Sequence, residues 1–288
     1  MTGVQTCALP ICTGKTLASV EILDPATGNW AAAAPMSRGR ANHTATLLPD
    51  GRVLVVAGYT TDQGSLAYTR TAEIYDPHTG SWTATAGAPL ADRGGHTATT
   101  IPDGRILFAG GVRGAARVAE LYDPATGLFA RTTGDPLDDR VFHAAALTAN
   151  GTVLLAGGGP GRVEAFVPET GTFSDAGSCP PFGPVNADTQ LFATLTPIPG
   201  KGRVVLIGGL AEGAGDAGAD LVLGQVQVWS QQAGSGTGNF FPMVFDLDVP
   251  RAGHTVTPLG SGKFLIVGGF GTEGVVNEAR STIFTPSQ

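Results

Sequence analysis

The chain is poor in cysteine, in charge and in long apolar runs. Only three of its 288 residues are Cys, and charged residues make up 14%. So few cysteines exclude the dense disulfide framework of a small secreted scaffold. No uncharged apolar run reaches the roughly 18 residues that a membrane-spanning helix needs. The 17 Lys and Arg are scattered and outnumbered by 24 Asp and Glu, for a formal charge of −7. That leaves no basic stripe, so nucleic acid is not expected as a partner. Strong helix formers are sparse in every window, whereas Gly (43) and Pro (20) are abundant and hydrophobic residues reach 42%. Such a composition predicts an all-β globular chain of short strands and tight turns, long enough to bury a large core.

Residues 1–11 read MTGVQTCALPI. They have no basic start and no long apolar centre, so they fail as a secretory signal. They resemble the translation of a short-read sequencing adapter. The expectation is that residues 1–12 are foreign and disordered and that the native N-terminus is missing. Cys7 and Cys12 then fall away, and Cys179 is the one secure cysteine.

Self-similarity is the strongest signal. Four copies of one module carry Arg-x-x-His, a turn and a glycine-ended apolar run. They hold Arg40 and His43, Arg93 and His96, Arg140 and His143, and Arg251 and His254. The interval between the last two histidines is about two repeats, so a fifth copy hides between them. It ends on Gly208-Gly209, and Asp188 and Leu191 stand at the expected places of its Arg and His. A second module follows, as in Glu73-Ile-Tyr75-Asp76-Pro77-His78-Thr79-Gly80-Ser-Trp82. It recurs from Glu21 to Trp30, Glu120 to Phe129 and, degraded, Glu164 to Phe173, with fainter echoes at 225–240 and 280–286.

One unit reads as four strands. Residues 43–48 alternate, Pro49-Asp50-Gly51 is a tight turn, and 53–56 is a continuous apolar run of the kind covered on both faces. Residues 73–75 are a third strand, and Trp82 opens a fourth, its ring predicted to fill the room left by the paired glycines. Four-stranded units that cannot bury both faces alone stack radially, as in a β-propeller. The paired glycines, the Tyr-Asp-Pro and the Thr-Gly-x-Trp resemble the kelch repeat. Over roughly residues 17–285 the chain resembles bacterial kelch-type propellers of the galactose-oxidase central-domain class. The strand count predicts one propeller domain over 13–288, with about six blades, the first and last incomplete, and hence an incomplete ring.

Four of five histidines share one repeat position, and an active site needs unlike residues at unlike places. Arg40, His43, Arg93, His96, Arg140, His143, Arg251 and His254 are therefore read as structural, the Arg and His bonding neighbouring backbone. Trp30 and Trp82 join them as structural repeat residues. His78 lies in a turn. Copper chemistry of the galactose-oxidase kind needs converging Tyr and His, but Tyr75 and Tyr122 are repeat positions, and Tyr59 and Tyr68 share a loop with no spare His. Cys179 has no His within easy reach and is read as a loop thiol. Asp24, Asp76 and Asp123 suit turns by bonding their own amides. Asp216 and Asp220 lack the dense oxygen ligands of a calcium loop. The Gly-rich stretches lack a phosphate cradle's Lys and helix. No catalytic residue, metal or cofactor is assigned.

What differs between blades is the place to look for function, since loops carry it on a rigid scaffold. The odd loops are 58–70, 174–190 and 210–224, with Arg113 and Arg117 flanking a shorter one. Arg38, Tyr59, Tyr68, Arg113 and Phe182 are the candidate ligand contacts. The leading expectation is a non-catalytic, monomeric binding scaffold for a protein or glycan, with an extracellular or envelope location favoured by family analogy alone. The alternative implied by the resemblance is a carbohydrate-active enzyme, a sugar oxidase or a sialic-acid mutarotase.

Overall fold

The structure is a computed structural model. It describes residues 3–5, 15–61, 64–112, 117–178, 190–212, 220–231, 237–242, 247–259, 262–271 and 281–285. Every regular element among them is a β-strand. The chain divides into two compact units, residues 1–132 and 133–288.

The first unit holds three blade-like antiparallel sheets. The first consists of β1 (Gly3–Gln5), β2 (Val20–Asp24) and β3 (Asn29–Ala33), in that order. Gly3–Gln5, within the segment read as foreign, pair with Glu21, Ile22 and Leu23. The second consists of β4 (Thr44–Leu47), β5 (Val53–Val56), β8 (Ala72–Asp76) and β9 (Ser81–Ala84). Between β5 and β8 lies a two-stranded ribbon, β6 (Tyr59–Thr60) with β7 (Ala67–Tyr68). The third consists of β10 (Thr97–Thr100), β11 (Ile106–Ala109), β12 (Glu120–Asp123) and β13 (Leu128–Arg131).

The second unit repeats the plan. One sheet is β14 (Ala144–Leu147), β15 (Val153–Ala156), β16 (Arg162–Val167) and β17 (Thr172–Ser178). A small ribbon is formed by β18 (Gln190–Leu191), β21 (Leu210–Ala211) and β22 (Leu221–Val222). The next blade is β19 (Thr194–Ile198), β20 (Arg203–Ile207), β23 (Val226–Gln231) and β24 (Gly238–Pro242). The last is three-stranded, β25 (Thr255–Pro258), β26 (Phe264–Val267) and β27 (Ser281–Phe284).

Each second strand is the apolar run seen in the sequence. All four residues of β5, β11 and β15 are buried, as strands covered on both faces should be. The hairpin before β5 closes on Gly51, whose φ of +88° only glycine adopts freely. Asp50 accepts from Arg52 Nε at 2.8 Å across that turn. The Asp-Pro turns behave as read: Asp76 takes the His78 N–H at 2.8 Å on its side chain and the Gly80 N–H at 2.8 Å on its carbonyl. In the first unit Leu54, Val56, Ile74, Phe108 and Tyr122 form one core cluster. In the second, Leu154, Val163, Leu206, Trp229 and Phe240 form another.

Two readings of the repeat need correction. In the blade of Trp82 the apolar run ends on Ala57-Gly58, and that glycine does not make room for Trp82. A Cβ on Gly58 would meet the Ala41 carbonyl oxygen at 2.6 Å and His43 Cβ at 3.0 Å, so the glycine admits the Arg-x-x-His segment of its own blade. Trp82 instead lies opposite Tyr75, ring centroids 5.1 Å apart, and donates its indole N–H to the Ala34 carbonyl at 2.8 Å. Trp30 is 48% exposed on β3. The second correction concerns the fifth copy. Strand register pairs Thr194 with Ile207 as it pairs Thr44 with Val56. Gln190 therefore occupies the arginine place and Ala193 the histidine place, not Asp188 and Leu191. Asp188 itself lies outside the described residues.

Candidate functional site

The repeated charges are spent on architecture. Glu73, Glu120 and Glu164 sit on the third strands, fully or nearly buried, and each takes one arginine of its own blade. Arg40 reaches Glu73 at 2.5 Å, Arg93 reaches Glu120 at 2.6 Å and Arg140 reaches Glu164 at 2.7 Å. The other carboxylate oxygen accepts a backbone N–H three residues before each arginine: Ser37 at 2.8 Å, Leu90 at 2.7 Å and Leu137 at 2.6 Å. Each guanidinium also donates to the carbonyl at the end of its second strand: Ala57 at 2.8 Å, Gly110 at 3.1 Å and Gly157 at 2.8 Å. The sequence reading gave Arg and His backbone partners only and named no carboxylate for the arginines. Burial raises the Glu120 pKa and lowers that of Arg93, in each case against the attraction of the partner.

Two of the repeat histidines, His96 and His254, reach a neighbouring blade. His96 Nε2 lies 3.0 Å from Thr44 Oγ1, and His254 Nε2 lies 3.1 Å from Thr194 Oγ1. Burial and the adjacent arginine charge push His43 and His254 down to about 4, with a backbone hydrogen bond at that arginine opposing them. Both imidazoles are thus neutral at pH 7. Blades are also tied by amides: Gly58 donates to the Arg93 carbonyl at 2.8 Å, and Gly158 to the Gln190 carbonyl at 2.9 Å.

The residue before each histidine place is the exception to this sameness. Positions 42, 95, 142, 192 and 253 all have positive φ, between 51° and 67°. Gly95 and Gly253 adopt it freely, and Asn42 tolerates it. Phe142 (φ 51°) and Phe192 (φ 57°) do not. A bulky residue there carries about 1–2 kcal/mol of strain. Their rings stack at 4.3 Å, and the Phe192 N–H donates to the Phe142 carbonyl at 2.8 Å. Phe270, the residue after the paired glycines of its blade, meets Phe192 edge-on at 6.0 Å. All three rings are partly exposed.

In the first unit Tyr59 occupies the position equivalent to Phe270. It faces Tyr68 across the ribbon, edge to face at 6.3 Å. Tyr68 packs over Gly94, where a Cβ would lie 3.0 Å from its ring. The structure thus brings Tyr59 and Tyr68 together. Arg38 is exposed in the segment leading to Arg40. Arg113, Phe182 and Cys179 lie outside the described residues. Sequence reasoning missed Phe142, Phe192 and Phe270. The available signal was the position before the histidine, which is Gly or Asn in three copies and Phe in two.

No family model matches the chain, and no curated protein does. Solved structures do, 515 chains in number, so the fold is widely shared and does not by itself specify a function. One, titled "Structure of YjhT", superposes with a TM-score of 0.72 at 16% identity, covering 93% of this chain and 89% of that one. The chain has the fold of the kelch-type β-propellers. A second neighbour is a fungal alcohol oxidase of the AA5 family in complex with copper, with a TM-score of 0.72 at 17% identity. It covers 94% of this chain, which spans only 59% of the oxidase.

A copper ion does not fit the described residues of this propeller. No group of three or more His, Cys, Asp or Glu among them could hold a metal ion. Two imidazole Nε2 atoms are already engaged by threonine hydroxyls. No helix is long and apolar enough to cross a membrane.

Proposed function

We propose that this propeller binds a glycan without turning it over, on aromatic rings carried at the positions where its repeats diverge. The carrying observation is the pair Phe142 and Phe192, held on left-handed backbone where the same fold elsewhere uses Gly or Asn. Strain of this kind persists where the surroundings impose it and gathers at functional sites. A pyranose ring offers a flat C–H face that covers an aromatic ring, and aromatic side chains dominate ligand-binding surfaces. Arg40, Arg93 and Arg140 are buried and paired with Glu73, Glu120 and Glu164, which commits those charges to one another. Tyr59 and Tyr68 present a second aromatic pair of the same kind.

The test is calorimetric titration with a panel of neutral oligosaccharides. Wild-type protein should bind at least one of them, and F142G/F192G should lose at least tenfold in affinity while keeping its melting temperature. Absence of any sugar binding, or full affinity in the double variant, contradicts the proposal. The second reading, a carbohydrate-active enzyme, is favoured by the likeness to the AA5 alcohol oxidase. Oxygen uptake on primary alcohols or sugars after copper loading would support that reading instead.

A further inference from the structure

The fifth copy lacks the buried ion pair, and it lacks both halves. Register sets Gln190 at the arginine place, and the pairing of Leu206 with Gln227 matches that of Val55 with Glu73. Gln227 thus stands where three other blades carry Glu73, Glu120 and Glu164, while in the last blade the same register places Thr282 there. Gln190 and Gln227 are 4% and 2% exposed. Gln190 Nε2 reproduces one arginine contact, donating to the Gly208 carbonyl as Arg140 donates to that of Gly157. The rest of the guanidinium has no replacement. Gln190 Oε1 and Gln227 Oε1 are buried without a hydrogen-bond partner. The Gln225 carbonyl, equivalent to the Thr71 carbonyl that Arg40 also contacts at 3.3 Å, takes only the Gly208 N–H at 2.9 Å among the described bonds.

Two amide oxygens in this seat are therefore unmet acceptors. Leaving a buried acceptor unmet is unfavourable, and buried waters serve such groups with two to four bonds each. Exchanging a guanidinium for a carboxamide frees a volume close to that of one water. A cation would enter a seat with no carboxylate to balance it, whereas a water supplies two donors at no charge. We infer that an ordered internal water occupies the arginine seat of this blade, bridging Gln190 Oε1 and Gln227 Oε1. The two glutamines then form a neutral, hydrated version of the ion pair found in the blades of Arg40, Arg93 and Arg140.

Two measurements on the full chain test this. A high-resolution crystal structure should show a water within hydrogen-bond distance of both amide oxygens; amides bonded directly to each other, or a dry seat, overturn it. Separately, Q190R and Q227E each place an unpaired charge in the seat and should lower the melting temperature by roughly 5–10 °C. The combined Q190R/Q227E rebuilds the pair, displaces the water and should recover most of that loss. A double variant as unstable as the two losses added shows that the two positions do not share one seat, and refutes the inference.

Discussion

Replacing Glu120 by alanine should destabilise the protein by about 3–4 kcal/mol. Both Glu120 and Arg93 have fully buried side chains. Removing one partner of a buried pair strands the other charge, at about 3–5 kcal/mol. Two facts put the expectation at the lower end. Arg93 keeps the carbonyls of Gly110 at 3.1 Å and Val118 at 3.2 Å. Leu90, whose N–H also loses its acceptor, is 47% exposed and within reach of water. The combined R93M/E120Q variant removes both charges and keeps an acceptor for Leu90, so it should fall within about 1–2 kcal/mol of wild type. Burial penalises both charges here, raising the Glu120 pKa and lowering that of Arg93 against their attraction, so removing both together is expected to cost little. R93M alone should be least harmful in acid, because a carboxyl with a raised folded pKa loses stability as pH climbs through that value. Urea titrations of the four proteins provide the comparison. An E120A loss below about 1 kcal/mol, or an R93M/E120Q loss above about 3 kcal/mol, refutes the reasoning.

Other expectations concern acid, glycine and the aromatic positions. His43 and His254 titrate near 4 in the fold against 6.5 when free, so the unfolded chain binds more protons between those values. Stability should fall as pH drops from about 6.5 toward 4, by up to about 3 kcal/mol per histidine, and H254Q should flatten that slope in melts across this range. Gly158→Ala drives a methyl against the His143 backbone nitrogen at 2.7 Å and should lose roughly 3 kcal/mol or more. Gly104→Ala meets nothing within 4 Å at a φ of +89° and should lose only about 1–2 kcal/mol, measured in the same denaturant series. F192G relieves strain, so its melting temperature should equal or exceed that of wild type even after the stacked ring is lost.

The blades were legible because their spacing is regular and each motif has one local cause. Gly51 and Asp76 act within a few residues of themselves, so a sequence window contains the whole explanation. The Arg–Glu partnership was not legible in this way. Arg93 and Glu120 lie 27 residues apart, and each looks self-sufficient as a repeat position. Both positions change together at Gln190 and Gln227, but that copy was misaligned by its longer hairpin and its missing anchors. The glycine ending the run was credited to the wrong neighbour, since a sequence does not say which face a close approach comes from. Tyr59 and Tyr68 were singled out because they depart from the repeat in composition. Phe142 and Phe192 were overlooked because their departure lies in backbone conformation, which appears only when equivalent dihedral angles are set side by side.

The central claim is that the repeated side chains hold the blades and leave recognition to the divergent positions. Histidine-detected NMR across pH 3–8, with and without copper(II), tests it most directly. The account predicts that the His43 and His254 rings take up a proton only as pH nears 4 and that copper leaves both signals unchanged at pH 7. Protonation of either ring near 6.5, or loss of its signal at equimolar copper, would contradict it.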